Sequence, residues 1–103
     1  MRITFAQGAR TEFAAATRWY AREAGPDQAK DFRAEVHQML TLIAEHPAIG
    51  APTICEARHR VLRRFPFSIV YRHAADSLTI LAIANHSRRP GYPPASSVDT
   101  YAG

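Results

Sequence analysis

Ile3 and Phe5 alternate with Arg2 and Thr4, the two-residue period of a half-buried strand, and Gln7-Gly8 breaks it. From Ala9 the period lengthens. Ala9, Phe13, Ala16, Tyr20 and Ala24 recur at three- and four-residue steps while Arg10, Arg18 and Arg22 fall elsewhere, which predicts an amphipathic helix. Gly25-Pro26-Asp27 reads as a helix stop followed at once by a start, because glycine tolerates a left-handed cap and proline fits a first turn. A second helix follows to about Glu45, with Ala29, Phe32, Val36, Met39, Leu40 and Ile43 on one face, and it ends before Pro47. Two apolar stripes joined by so short a turn predict an antiparallel helical hairpin.

Residues 47–57 carry two prolines and a glycine without a sustained period and read as a loop. Three strands are predicted after it: Arg58 to Arg64, Phe67 to Arg72, and Leu78 to Ala84. Phe65-Pro66 and the stretch from Ala74 to Ser77 separate them by lengths that suit antiparallel neighbours. The last strand, LTILAIA, is apolar at both parities and is therefore expected to be central. The expected class is α+β, a helical hairpin packed on a small antiparallel sheet in the order β-α-α-β-β-β. The helices can cover one face of that sheet, which leaves the other face, or its edge, for function. One domain is expected over residues 1–92, with 93–103 as a flexible tail.

Charge divides the chain. Residues 1–57 hold six Lys/Arg and seven Asp/Glu, whereas residues 58–103 hold seven Arg and two Asp, so the C-terminal half carries the whole positive balance. Twelve of the thirteen basic residues are arginine, whose planar fork captures carboxylate or phosphate in bidentate fashion. An acidic partner, protein or nucleic acid, is expected for that half, against the plainer reading of a solvated basic sheet edge. The N-terminal residues lack the apolar run of a signal peptide, and no stretch reaches the roughly 20 apolar residues of a membrane helix. A cytoplasmic protein with no membrane partner is expected.

Several chemistries lack their residues. Cys55, the only cysteine, permits no internal disulfide. Cys55 and His59 stand four apart, but no second pair at ligand spacing completes a zinc site, so no metal is expected. A Cys–His nucleophile pair would need a group to orient the base, and none is marked. No glycine-rich phosphate loop is present, and no cofactor is expected.

Specific residues then carry a resemblance. Trp19-Tyr20 late in the first helix, Phe32, His46-Pro47-x-x-Gly50, Arg60 to Arg64, Phe65-Pro66-Phe67-x-Ile69-Val70-Tyr71, and Ile83-Ala84-x-x-His86-x-Arg88-Arg89-Pro90-Gly91-Tyr92 resemble the RelE/ParE toxins of bacterial type II toxin–antitoxin systems, over roughly residues 2–92. RelE-like members are messenger-RNA endonucleases, usually ribosome-dependent; ParE-like members poison DNA gyrase and have no known bond-breaking site. The nucleases commonly place a basic residue on the middle strand of the meander, where this chain has Ser68. The wording FPFSIVY with HSRRPGY resembles the ParE-like branch.

The resemblance thus implies a toxin that inhibits DNA gyrase by protein–protein binding. A cognate ParD-like antitoxin would neutralise it through its C-terminal segment, in a hetero-oligomer. No catalytic residue is then required. The alternative, a RelE-like endonuclease, would use Arg72, His86, Arg88 and Tyr92. Arg88, Arg89 and Tyr92 are expected at the target, and Arg60, Arg63, Arg64, Arg72 and Trp19 at the antitoxin. Trp19 fits either a core flank or an interface anchor, and Arg60, Arg63 and Arg64 are read as alternating across one strand.

Overall fold

A computed structural model describes residues 1–86. Strand β1 (Arg2–Phe5) leads directly into α1 (Gln7–Glu23), so Gly8 lies in the first helical turn rather than in a loop. Only Ala24 and Gly25 separate α1 from α2 (Pro26–Glu45). Gly25 has φ 96°, a conformation that suits glycine, and Pro26 opens α2 where its missing N–H costs nothing. The tight hairpin expected from Gly25-Pro26-Asp27 is present.

The remaining strands are β2 (Ala51–Pro52), β3 (Arg58–Val61), β4 (Phe67–Ala74) and β5 (Ser77–Asn85), with short 3-10 turns at Pro47–Ile49 and Ile54–Glu56. Their order across the sheet is β1-β5-β4-β3-β2. Pairing is antiparallel from β2 to β5, and β1 joins β5 in parallel, so the sheet is mixed. Besides the parallel joining of β1, two details differ from the sequence reading: the stretch 47–57 contributes a two-residue edge strand, and β3 stops at Val61. LTILAIA lies inside the sheet, between β1 and β4, as its apolarity requires.

Its apolarity at both parities has a second cause. The β4–β5 register shifts between Val70 and Tyr71, leaving Leu81 as an extra residue on β5. The bulge resets the phase, so Leu78 and Ile80 face the helices before it and Ile83 after it. On the face away from the helices, Ala82 and Ala84 join Val70 and Ala57 in a second, smaller apolar cluster. The main core lies between helices and sheet around fully buried Phe32, whose ring centroid is 5.1 Å from Phe67, 5.2 Å from Tyr20 and 5.3 Å from Phe65. Each such buried side chain contributes about 1.5–3 kcal/mol relative to exposure.

Two polar ties fix the hairpin to the sheet. Glu35 sits among the apolar positions of α2, buried, and its carboxylate accepts hydrogen bonds from the backbone N–H groups of Arg63 and Arg64 and from Arg64 Nε at 2.9 Å. Burial pushes its pKa up, but those bonds and the Arg64 charge outweigh it and hold the carboxyl below its ordinary range. Glu12 of α1 accepts from Ile83 N at 2.9 Å, where β1 has ended and α1 stands in the place of a strand. The other Glu12 oxygen is buried without a partner, and burial raises its pKa against the lowering effect of the Ile83 bond.

Candidate functional site

The start of β4 and the end of β5 lie side by side, because Phe67 pairs with Asn85 and Ser68 with Ala84. His86 follows immediately. Its backbone N–H donates to Pro66 O at 2.7 Å, and its Nε2 is 2.7 Å from Ser68 Oγ, a contact that either ring tautomer can serve. The sequence words FPFS and ANH, residues 65–68 and 84–86, are therefore one local structure. Register places Ser68 on the face away from the helices, together with Val61 and His59 of β3. Burial, and then the nearby His59, lower the His86 pKa, which favours a neutral ring near neutral pH.

His86 and Ser68 can thus exchange a hydrogen bond; of the other residues named for an RNA-cleaving centre, Arg72 is the one among the described residues, and it is not beside them. Arg72 lies on the same face four residues along β4, roughly 13 Å from Ser68 at the rise of a strand, and donates to Cys55 O at 3.1 Å. Arg60 lies opposite Ile69 and so shares the helix-facing side of the sheet. Among the described residues, no arginine hydrogen-bonds to Ser68 or His86. Arg88, Arg89 and Tyr92 fall outside the described residues.

The arginines assigned to an interface occupy different settings. Arg63 and Arg64 do not alternate across a strand; both lie in the β3–β4 turn, past the end of β3. Their backbone amides are satisfied by Glu35, which leaves Arg63 exposed and Arg64 with a side chain 60% exposed. Arg64 also spans Glu35 and the Phe65 ring, whose centroid is 5.7 Å from its guanidinium carbon. The isolated chain holds Trp19 in the core at 5% exposure, edge-on to Tyr20, rather than on the surface.

Behind these arginines the sheet is clamped by Tyr71. Its hydroxyl donates to Pro47 O at 2.6 Å and accepts from Gly50 N at 2.9 Å. A Cβ at position 50 would stand 2.6 Å from that hydroxyl and 2.9 Å from His59 O, so only glycine fits. The spacing His46-Pro47-x-x-Gly50 is thereby explained: Pro47 and Gly50 grip the tyrosine of the β4 word. Arg58 completes the clamp, donating to Gly50 O at 2.7 Å.

A helical hairpin on a five-stranded mixed sheet, with a basic β3–β4 region and a compact Ser68–His86 corner, defines a small RelE/ParE-like toxin fold. The sequence matches the ParE toxin of type II toxin-antitoxin system, parDE, over residues 3–90, and the chain belongs to that family. Among solved structures it is similar to one described as the chromosomal ParDE TA system from P. aeruginosa. The TM-score is 0.73 at 21% identity, over 84% of this chain and 97% of that one, a likeness of fold. No curated protein sequence matches the chain. No helix among the described residues is long and apolar enough to cross a membrane.

Proposed function

We propose that this ParE-family chain inhibits DNA gyrase by binding it, in the cytoplasm, and is neutralised by a ParD-type antitoxin whose C-terminal segment folds on its surface. The observation that carries the reading is Ser68. It occupies the middle strand where the nuclease branch commonly has a cation, and its hydroxyl is engaged by a histidine whose environment favours the neutral form. A phosphorane beside that pair would find no arginine within the described corner to stabilise it. Binding alone suffices for inhibition, because a toxin that prefers one conformation of its target shifts the target's population toward it.

Arg88, Arg89 and Tyr92 are the proposed target contacts, and Arg60, Arg63, Arg64 and Arg72 the proposed antitoxin contacts. The test incubates purified chain with gyrase and plasmid, and separately with translating ribosomes and messenger RNA. Linearised or unsupercoiled plasmid supports the proposal; discrete transcript cuts refute it. In the same assays the double variant Arg88→Ala/Arg89→Ala should lose inhibition while antitoxin binding persists. His86→Gln should retain toxicity, whereas loss of a general acid or base lowers a rate by about 10²–10⁴-fold.

A further inference from the structure

The β3–β4 turn joins Val61 to Phe67, and its shape is set from inside the molecule. Leu62 N donates to Phe67 O and Phe67 N to Phe65 O, which closes the turn on itself. Glu35 then anchors it. One carboxylate oxygen accepts from the backbone amides of Arg63 and Arg64, and the other accepts from Arg64 Nε at 2.9 Å. Leu62 and Phe65 are buried, so the exposed side chains of the turn are those of Arg63 and Arg64.

These contacts use only one edge of the Arg64 guanidinium. Glu35 takes Nε and the Phe65 ring centroid lies 5.7 Å from the guanidinium carbon, while Nη1 and Nη2 have no hydrogen-bond partner among the described residues. The Arg63 side chain has none among them either. An arginine held at Nε and free at its outer fork loses little rotamer freedom on binding, and its two outer N–H groups match two oxygens of one oxoanion. Phosphate fits this turn better than a carboxylate of a protein partner. Protein segments bind around a desolvated apolar centre, whereas the turn keeps its apolar side chains inside. Nucleic-acid interfaces are more polar and more positive, and they rest on arginine contacts to a line of phosphates. Residues 57–75 hold five arginines and no Asp or Glu, and Arg63 and Arg64 are neighbours among them.

We infer that the β3–β4 turn receives the phosphate backbone of duplex DNA: Arg64 takes one phosphate through Nη1 and Nη2, Arg63 takes the next, and buried Glu35 is the positioning residue that aims Arg64. The inference rests on the gyrase reading above. A toxin that touches both the enzyme and the DNA it holds prefers the DNA-loaded target, and antitoxin bound at the same arginines shields them from phosphate.

The test measures binding of the full chain to a short fluorescent duplex by anisotropy over a salt series, without gyrase. Arg64→Ala should weaken binding about tenfold on any sequence and lower the salt slope by about one. Arg10→Ala removes the same charge far from the turn and should change binding less than about twofold. Glu35→Gln separates aim from charge. Deleting a carboxylate strengthens DNA binding if charge alone matters, whereas loss of the clamp should weaken it about threefold or more. Should Glu35→Gln fail to fold, Arg64→Lys decides: it keeps the charge on an exposed side chain, loses the fork, and should weaken binding by a similar factor. Absence of wild-type binding at low salt, equal losses from Arg64→Ala and Arg10→Ala, or tighter binding by Glu35→Gln overturns the inference. So does polyglutamate or single-stranded RNA that binds more tightly than duplex, since it assigns the turn to another partner. Each of these results leaves gyrase inhibition to its own assay, and a chain that binds duplex as described but does not inhibit gyrase overturns that reading alone.

Discussion

Replacing Tyr71 by phenylalanine deletes one oxygen from a side chain with no solvent exposure and breaks two hydrogen bonds at once. The two lost partners differ in setting. Gly50 N–H is buried and its orphaned donor costs about 1–3 kcal/mol, whereas Pro47 O lies nearer the surface and regains water. The net loss should be about 2–3 kcal/mol, a Tm decrease of roughly 10–20 °C for a domain of this size. Gly50→Ala should also destabilise, since its Cβ would press on Tyr71 and on the His59 carbonyl. The two changes are coupled because the hydroxyl is part of both. Chemical denaturation of the two single variants and the double variant should show the double variant more stable than the sum of the single losses predicts, by at least about 0.5 kcal/mol. A Tyr71→Phe cost below about 0.5 kcal/mol, or strict additivity, would refute the clamp.

Glu35→Ala should cost about 2–4 kcal/mol in urea unfolding, chiefly from the orphaned turn amides, since the exposed Arg64 partner is screened by water. Because the folded pKa of Glu35 is depressed, its stabilisation is present above the unfolded carboxylate pKa and is lost as pH falls through the folded one; a pH series of Tm should show wild type losing its advantage over Glu35→Gln on acidification. Glu12 has the opposite sign. Its raised pKa favours the folded state at low pH and loses that contribution as pH rises from the unfolded value through the folded one, so the Tm gain from Glu12→Gln should be smallest in acid and grow as pH rises. Ala75, at φ 25° in the two-residue β4–β5 turn, should become more stable by about 0.5–1 kcal/mol as glycine, read by the same unfolding curves.

Much of this architecture is legible in the chain because the two periods are clean. The helical stripes through Phe13 and Tyr20, and through Phe32 and Met39, face the sheet as their spacing requires. What the sequence hides is tertiary. LTILAIA announces burial but not the Leu81 bulge, since an extra residue in a uniformly apolar strand leaves no mark in the alternation. Arg63 and Arg64 read as strand residues because nothing local reveals that Glu35, 28 positions earlier, draws their amides into a turn. One signal was available: a carboxylate at position 35 falls on the stripe of Phe32, Val36 and Met39, where an unpaired charge would be costly. The Ser68–His86 contact lay within reach of the antiparallel register, which sets Ser68 beside the end of β5. Parallel joining of β1 has no comparable local cue, because its partner strand lies at the far end of the described chain.

That pairing also governs the order in which the molecule can be made. Ile3 and Phe5 have no strand to join until Leu78 and Ile80 have been synthesised, while the helical hairpin is complete by Glu45. At about 5–20 residues per second, the roughly 70 residues between the two strands take on the order of 4–14 s to emerge. Throughout that interval the nascent chain has helices and part of a meander but no closed sheet, and Ser68 has no His86 to meet. The sheet of a growing polypeptide of this sequence therefore closes only when nearly its last described strand has left the ribosome, so its two ends are joined last.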